Sequence, residues 1–367
     1  MKNQTLKLSL GALLFIGFSI YKSNAQNQSY VSKPWKEVAT QMPSEWYGSD
    51  ESKMAADSVL KYQTPIGGWM KNSGFHNGGV KQDEWERILS SGIGATFDND
   101  ATITEIRFLA KMYAKTKDPK YKKAFNNGLA YIFISQYENG GWPQFYPVRK
   151  GNVSYSGHIT YNDDAMVNIM TFLEEIATNN PEFVALEVSE ANKKKAKKAI
   201  QNGIQCFLDT QIIVNGKPSV WCAQHDESTL LPAKARSYEL ASFSGGESVG
   251  ITLYLMGIKN PSTKIKNSIN GAVEWFETHK IEGIRLDAEI TKEGTKNRIV
   301  VEDKNAPTLW ARFYDLETEK PIFCDRDGIK KSSLAEIGDN RRNGYSWYGT
   351  GPSKVLKQYP NWLKENH

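Results

Sequence analysis

The sequence has 367 residues, enough for one large domain or two small ones around a substantial buried core. Its 46 basic residues stand against 41 acidic ones, for a formal charge of +5. That balance gives no reason to expect nucleic acid as a partner. Three cysteines (Cys206, Cys222, Cys324) admit at most one internal disulfide and have no zinc-ligand spacing.

Lys2 and Lys7 precede an uncharged run from Leu8 to Tyr21, and Ser23-Asn24-Ala25 puts small residues at a cleavage spacing. Residues 1–25 therefore read as a secretory signal peptide, too short for a stable membrane span. Their removal takes away three lysines and no acid, leaving a charge of +2. No cysteine follows the cleavage position, so no lipid anchor is expected. The mature chain is expected to be secreted or periplasmic, monomeric and without a membrane span. Residues 26–45 read as a polar leader, and 46–367 as one domain.

Apolar residues then recur at helical spacing over Glu51–Tyr62, Asp100–Lys115, Lys120–Tyr137, Asp164–Thr178, Ala191–Leu208, Ser248–Ile258 and Ser262–His279. After Lys280 the period shortens. Ile284–Ile290 and Arg298–Val301 alternate as strands do, with a turn between them. The stretch from Thr308 to Asp327 is irregular or extended, and short helices are expected near Leu334–Arg341 and over Ser353–Leu363. Successive helix pairs build an open solenoid or a closed ring. The pairs are few and their sequences drift, which favours an all-α dominated fold: an α/α toroid of repeated helix pairs, with irregular loops and a few short β-strands in the C-terminal third.

An internal repeat runs through these pairs. Gln63 and Gln136 are each followed four residues on by Gly-Gly-Trp, ending at Trp69 and Trp142, 73 residues apart. Each motif leads to a polar cluster that opens a helix: Asp98-Asn99-Asp100, then Asn162-Asp163-Asp164. A third, looser unit runs from Gln211 through Trp221 to Ser244-Gly245-Gly246-Glu247. Repeated units place equivalent loops on one face, so the two acidic clusters are expected to lie close together. Asp and Asn at a helix start are ordinary caps, but a cap needs only one side chain. Several carboxylate and amide oxygens without histidine suit a hard cation, calcium above all. They equally suit a general acid/base pair of a toroidal hydrolase.

Two further groups carry charge. Lys234 and Arg236 alternate along an extended loop and so point the same way. Arg312, Arg326, Arg341 and Arg342 are strung through the least regular part of the chain, where a guanidinium fork can hold a carboxylate. His225 reads as a structural hydrogen-bonding residue. Most of the ten tryptophans and seventeen tyrosines are expected in the core, although surface rings would suit a sugar.

Several long stretches together resemble the family 10 pectate lyases: Phe97-Asp-Asn-Asp-Ala-Thr, Gln136-Tyr-Glu-Asn-Gly-Gly-Trp-Pro-Gln-Phe-Tyr-Pro, and His158-Ile-Thr-Tyr-Asn-Asp-Asp-Ala-Met. Trp221-Cys-Ala-Gln-His-Asp, Ala235-Arg-Ser-Tyr-Glu, Ser244-Gly-Gly-Glu and Arg342-Asn-Gly-Tyr-Ser-Trp-Tyr-Gly complete the set. The resemblance begins near Trp35 and covers nearly all of the mature chain. It implies Ca2+-assisted β-elimination on polygalacturonate and pectin oligosaccharides. It implies Asp98, Asn99 and Asp163 as calcium ligands, with Asp100 and Asp164 as near alternatives, and Arg236 as catalytic base. It further implies Lys234, Arg312, Arg326 and Arg341 as substrate-binding residues, with Arg342 able to exchange roles with Arg341. Two other readings remain: an α/α-toroid glycoside hydrolase with an Asp acid/base pair, and a non-catalytic pectin-binding protein.

Overall fold

The computed structural model describes residues 30–292 and 294–366; the expected signal peptide at 1–25 lies outside the described residues. Helix makes up about 48% of the chain, and the strands are few and mostly short.

Helix α1 (Trp35–Gln41) lies inside the expected polar leader, where Val38 and Ala39 are wholly buried. Helix α2 (Asp50–Lys61) follows, then α3 (Gln82–Ser90), which lies outside the stretches of helical apolar spacing. Three helical hairpins come next: α4 (Ile103–Thr116) with α5 (Pro119–Ile134), α6 (Ala165–Ala177) with α7 (Glu190–Thr210), and α8 (Glu247–Met256) with α9 (Thr263–Thr278). Leading helices pack side by side, α4 on α6 and α6 on α8, and trailing helices do likewise, α5 on α7 and α7 on α9. The expected helix near Leu334–Arg341 is divided: a single tight turn at Leu334–Glu336, then α10 (Asp339–Gly344). Helix α11 (Pro352–Glu365) closes the chain against α8 and α9.

The trailing helices start at side-chain caps. Ser49, Asp118, Ser189 and Ser262 accept from the backbone N–H of Ser52, Lys120, Asn192 and Ile265, satisfying donors that the first turn leaves without partners. Among the leading helices, α4 has a capping box of Thr102 with Glu105 and α8 is capped by Ser244, and the first two are preceded by a distinctive turn. Asp98–Asp100 and Asn162–Asp164 form tight turns in which Asn99 and Asp163 share φ of +53°, and Asp100 and Asp164 lie at +59° and +57°. Two consecutive left-handed residues are costly except for Asn, Asp and Gly, which explains the composition of these turns.

The Gly-Gly-Trp repeat is the joint between units. The indole N–H of Trp69 donates to Val59 O at 2.8 Å, that of Trp142 to Ile132 O at 2.9 Å, and that of Trp221 to Phe207 O at 2.7 Å, each within the last turns of the preceding trailing helix. Trp310 does the same to Phe276 O at 2.8 Å and so marks a fourth unit. The glutamines reach forward. Gln63 donates to Ala124 O in α5, Gln136 to Ala199 O in α7, and Gln211 to Ser268 O in α9. Within each Gly-Gly pair the first glycine has positive φ (+107° at Gly67, +91° at Gly140). A Cβ on the second would lie 2.6 Å from Ala95 Cβ at Gly68, or from Ile159 Cγ1 at Gly141.

Short antiparallel pairs join the loops of successive units: Ala95–Thr96 with Phe145–Tyr146, Ile159–Thr160 with Gln224–His225, and Phe243–Ser244 with Phe313–Tyr314. Short strands are therefore spread along the chain instead of being confined to its last third. The longest pair is the hairpin Ile284–Ile290 with Lys296–Glu302. Tyr238, Phe313, Phe323 and Trp347 belong to a second, smaller core beneath the C-terminal loops. All three cysteines are buried and free. Among the described residues no helix is long and apolar enough to cross a membrane.

Candidate active site

The joints aim their loops at one cleft. The carbonyl two residues past each repeat tryptophan anchors the turn of the preceding unit: Gln144 O accepts from Phe97 N, Ala223 O from Asn162 N, and Arg312 O from Gly245 N, at 3.0–3.1 Å. Positions 71, 144, 223 and 312 are thus equivalent. Lys71 and Gln144 line a cleft of about 340 Å³ with Asp98, Asn99, Asn162, Asp163, Arg236 and Glu239. The three expected calcium ligands and the expected base therefore face one space. A second hollow adjoins it, sharing Asp163 and lined by Asp164, Glu247 and Arg312.

Each acid has a defined environment. Asp98 is buried and ion-paired with Lys71. Asn99 is exposed and donates to Asn72 Oδ1 at 3.1 Å. Asp163 accepts from Asn162 Nδ2 at 2.7 Å and stands 3.5 Å from Arg312 Nη2. Partial burial lifts its carboxyl above the ordinary range, Arg312 pulls it back, and Glu247 and Asp98 add to the rise. Asp164 is pushed up to about 6, by burial first and then by Glu247, Asp163 and Asp100. Asp100 faces away from the cleft, held by Lys36 at 2.5 Å and Asn168 at 2.7 Å. The donor set facing the cleft is oxygen-only and gathered from two units, which fits a hard divalent cation. Charge fits as well: the carboxylates repel one another, and a cation relieves that.

The arginines form a ladder spaced by rings. Arg236 is gripped by Glu239, its Nε at 2.7 Å and Nη2 at 2.5 Å from the two carboxylate oxygens. Its guanidinium lies 4.8 Å from the Tyr238 ring and 6.0 Å from that of Tyr345. Arg341 covers the same Tyr238 at 4.6 Å, and Arg312 covers Tyr345 at 4.7 Å. Arg326 joins the end of the ladder through Asn340 Oδ1, which also accepts from Arg341. Arg312 is mostly buried, donates to Asn162 Oδ1 at 3.0 Å and pairs with Glu247, while its Nε has no partner among the described residues.

Arg341 and Arg342 differ in their contacts. Arg342 is tied to Asp339 and to the carbonyls of Ala335 and Ile337, so it braces its own loop, whereas Arg341 faces the ladder. Lys234 is exposed beside Ala235 and does not line the cleft. His225 is structural: it accepts from Cys222 N at Nε2, 3.0 Å away, and its Nδ1 lies 2.9 Å from Leu230 O, with the ring wholly buried.

Glu239, through its hydrogen bonds first, holds the pKa of Arg236 above its already high ordinary value, which works against a role as base. Glu239, Tyr345, Lys71 and Gln144 were not singled out from sequence. The signal for Lys71 and Gln144 was present, since both stand two residues past a repeat tryptophan. Glu239 and Tyr345 carry no such mark.

The sequence matches the family described as pectic acid lyase over residues 63–356. No curated protein matches it. Among solved structures, a family 10 polysaccharide lyase from Cellvibrio cellulosa is 34% identical, covering 88% of this chain and 96% of its own, with a TM-score of 0.73. A point mutant described in the same terms, in complex with trigalacturonic acid, is 33% identical over 89% of this chain and 95% of its own, with a TM-score of 0.74. An oxygen-rich turn pair, an arginine ladder and a matching relative along most of the chain agree: this protein belongs to the family 10 pectate lyases and is a polysaccharide lyase.

Proposed function

We propose that this protein is an exported, calcium-assisted pectate lyase that cleaves polygalacturonate by β-elimination. The observation that carries the reading is the convergence of Asp98, Asn99, Asp163 and Arg236 on one cleft. The trigalacturonic acid bound by the Cellvibrio relative supports an oligogalacturonate as the ligand here. The helix hairpins are read as closing into an α/α toroid, with the cleft at its loop end. Residues 1–25 are read as the export signal, and the working unit as a monomer.

The C5 proton of galacturonate is α to a carboxylate, so its removal places further charge on the carboxylate oxygens. Asp98, Asn99 and Asp163 would hold Ca2+, which when bound supplies Lewis-acid stabilisation of that charge. Arg312 and Arg341 direct N–H groups toward the same region, where they stabilise the developing anion. Tyr238 and Tyr345 fix the planes of the guanidinium groups between them. Arg236 is assigned the C5 proton, after which the C4 glycosidic oxygen departs and leaves an unsaturated uronide. Before Arg236 can accept a proton it must lose one, and Glu239 opposes that loss. A nearby divalent cation and the other arginines favour it.

The test combines a variant with a chelator. Polygalacturonate treated with the mature protein should gain the ultraviolet absorbance of unsaturated uronide only when calcium is present. Arg236→Ala should lower turnover by roughly three orders of magnitude or more while retaining part of the binding. Near-normal turnover in that variant would end the assignment of the base. Chain cleavage without absorbance would point to hydrolysis, and binding without cleavage to a non-catalytic pectin-binding protein.

A further inference from the structure

Arg149 is a cation of the cleft whose charge has no counterpart. Lys71 is paired with Asp98, Arg236 with Glu239, and Arg312 with Glu247 and Asp163. Arg149 lines the same cleft, yet among the described residues it makes no ion pair or hydrogen bond. Its guanidinium lies instead 4.3 Å from the centre of the Phe145 ring.

Its position is built. Phe145 is buried and its backbone pairs with Thr96, two residues before Asp98. The loop that follows is tied back, with Gln144 N donating to Ser156 O at 3.0 Å and Tyr137 Oη to Gly157 O at 2.5 Å. A guanidinium lying on a ring keeps its in-plane N–H edge free, and that edge matches a carboxylate. The ring also limits the rotamer freedom lost on binding. Arg341 has the same arrangement over Tyr238, with only a neutral amide, Asn340, as partner. Arg149, which lines the cleft, and Arg341, at the far end of the arginine ladder, are thus both ring-backed and without a carboxylate partner. The more tightly engaged Arg236 and Arg312 come from other loops.

We propose that Arg149 reads a second uronate carboxylate of the polymer, apart from the sugar undergoing elimination, and so contributes to a requirement for de-esterified galacturonate. The inference rests on the lyase reading above for its substrate class. A methyl ester at that sugar removes the charge and one of the two acceptor oxygens, leaving Arg149 desolvated against a poorer partner.

The experiment measures steady-state kinetics of the unaltered protein, Arg149→Ala and Arg149→Lys on polygalacturonate and on highly methyl-esterified pectin. It adds calorimetric titration of trigalacturonate into the Arg236→Ala protein with and without Arg149→Ala. Arg149→Ala should raise KM for polygalacturonate about 10-fold with kcat within about twofold. Its preference for polygalacturonate over esterified pectin should shrink by a similar factor. Arg149→Lys should recover part of the affinity, because it keeps the charge and loses the fork. Trigalacturonate should bind about 10-fold more weakly to the double variant. Unchanged KM and preference, or a fall in kcat at constant KM, overturns the assignment. If Arg149→Ala fails to fold, Arg149→Lys decides by the same preference ratio. If no protein in the series releases unsaturated uronide, the lyase reading fails, and the trigalacturonate titration still decides whether Arg149 binds a uronate.

Discussion

The turns at Asp98–Asp100 and Asn162–Asp164 stand against the turn at Ser244–Glu247, which occupies the same place in the third unit. All three enter a leading helix, and all three hang from the carbonyl two residues past the next tryptophan. In the first two, left-handed Asn and Asp present oxygens to the cleft. In the third, Gly245 lets the chain pass close to the Ala311 carbonyl, where a Cβ would lie 2.3 Å from the oxygen. Its acid, Glu247, is buried and spent on Ser244 and Arg312. One scaffold thus carries acids that face a ligand and an acid that holds the wall. All three acids have a cation beside them, Lys71 for Asp98 and Arg312 for Asp163 and Glu247. The difference is that Asp98 and Asp163 line the cleft, whereas Glu247 is also held by Ser244 and does not.

Four measurements break or sharpen that contrast. Glu247→Ala should be the most damaging to the fold, because it leaves Arg312 buried without its main counter-charge. A loss of about 4 kcal/mol in urea denaturation is expected. Asp98→Asn and Asp163→Asn should act on chemistry: turnover should fall roughly 100-fold at fixed calcium and recover in part as calcium is raised. Stability should be nearly unchanged in Asp163→Asn and lowered less than in Glu247→Ala in Asp98→Asn, where the part-exposed Lys71 loses its partner. If Glu247→Ala unfolds no more readily than Asp163→Asn, the division of labour between the turns is wrong.

His225 gives a pH signature behind the second turn, since its strand pairs with Ile159–Thr160. Burial depresses its pKa to about 4, below the ordinary 6.5. The folded protein therefore refuses a proton that the unfolded chain accepts. Its contribution is complete above about 6.5 and is lost as pH falls toward 4. Between pH 7 and pH 5 the loss should be about 2 kcal/mol, and His225→Gln should show a flatter dependence of unfolding free energy on pH. Gln136→Ala is the mildest change. It removes side-chain bonds to Gly140 O and Ala199 O, and should lower stability by about 1.5 kcal/mol with little effect on KM. A larger rise in KM than in instability would place that joint nearer the cleft than its bonds suggest.

Much of this was legible in the sequence, because helical stripes and turn composition are local properties. The boundaries of α2, α5 and α9 agree with the periodicity within a few residues, and the acid clusters do meet. Helix α1 was hidden by its charged, polar composition, since only Val38 and Ala39 are wholly buried in it. Helix α3 follows the glycine-rich stretch Gly74–Gly79, which breaks the pattern before a window can accumulate. The fourth unit was missed because its tryptophan, Trp310, has neither the Gly-Gly pair nor a leading glutamine and lies 89 residues past Trp221. With it went the equivalence of Lys71 and Arg312. The pairing of Glu239 with Arg236 was out of reach for another reason. Whether a charge three residues away neutralises its neighbour or faces solvent depends on loop conformation, which periodicity does not report.

The glutamine bridges carry a consequence for how this protein came to be and how it can be cut. Each glutamine follows one trailing helix yet satisfies a carbonyl in the middle of the next, at Ala124, Ala199 and Ser268. The segment that duplicates in sequence is therefore not the segment that is self-sufficient in space. A cut between the first two hairpins placed after Gln136 parts it from Ala199 O, and one placed ahead of it parts Trp142 from Ile132 O. Deleting a hairpin cleanly would mean splicing just ahead of successive glutamines, so that Trp221, parted from Phe207 O, meets Ile132 O in its place.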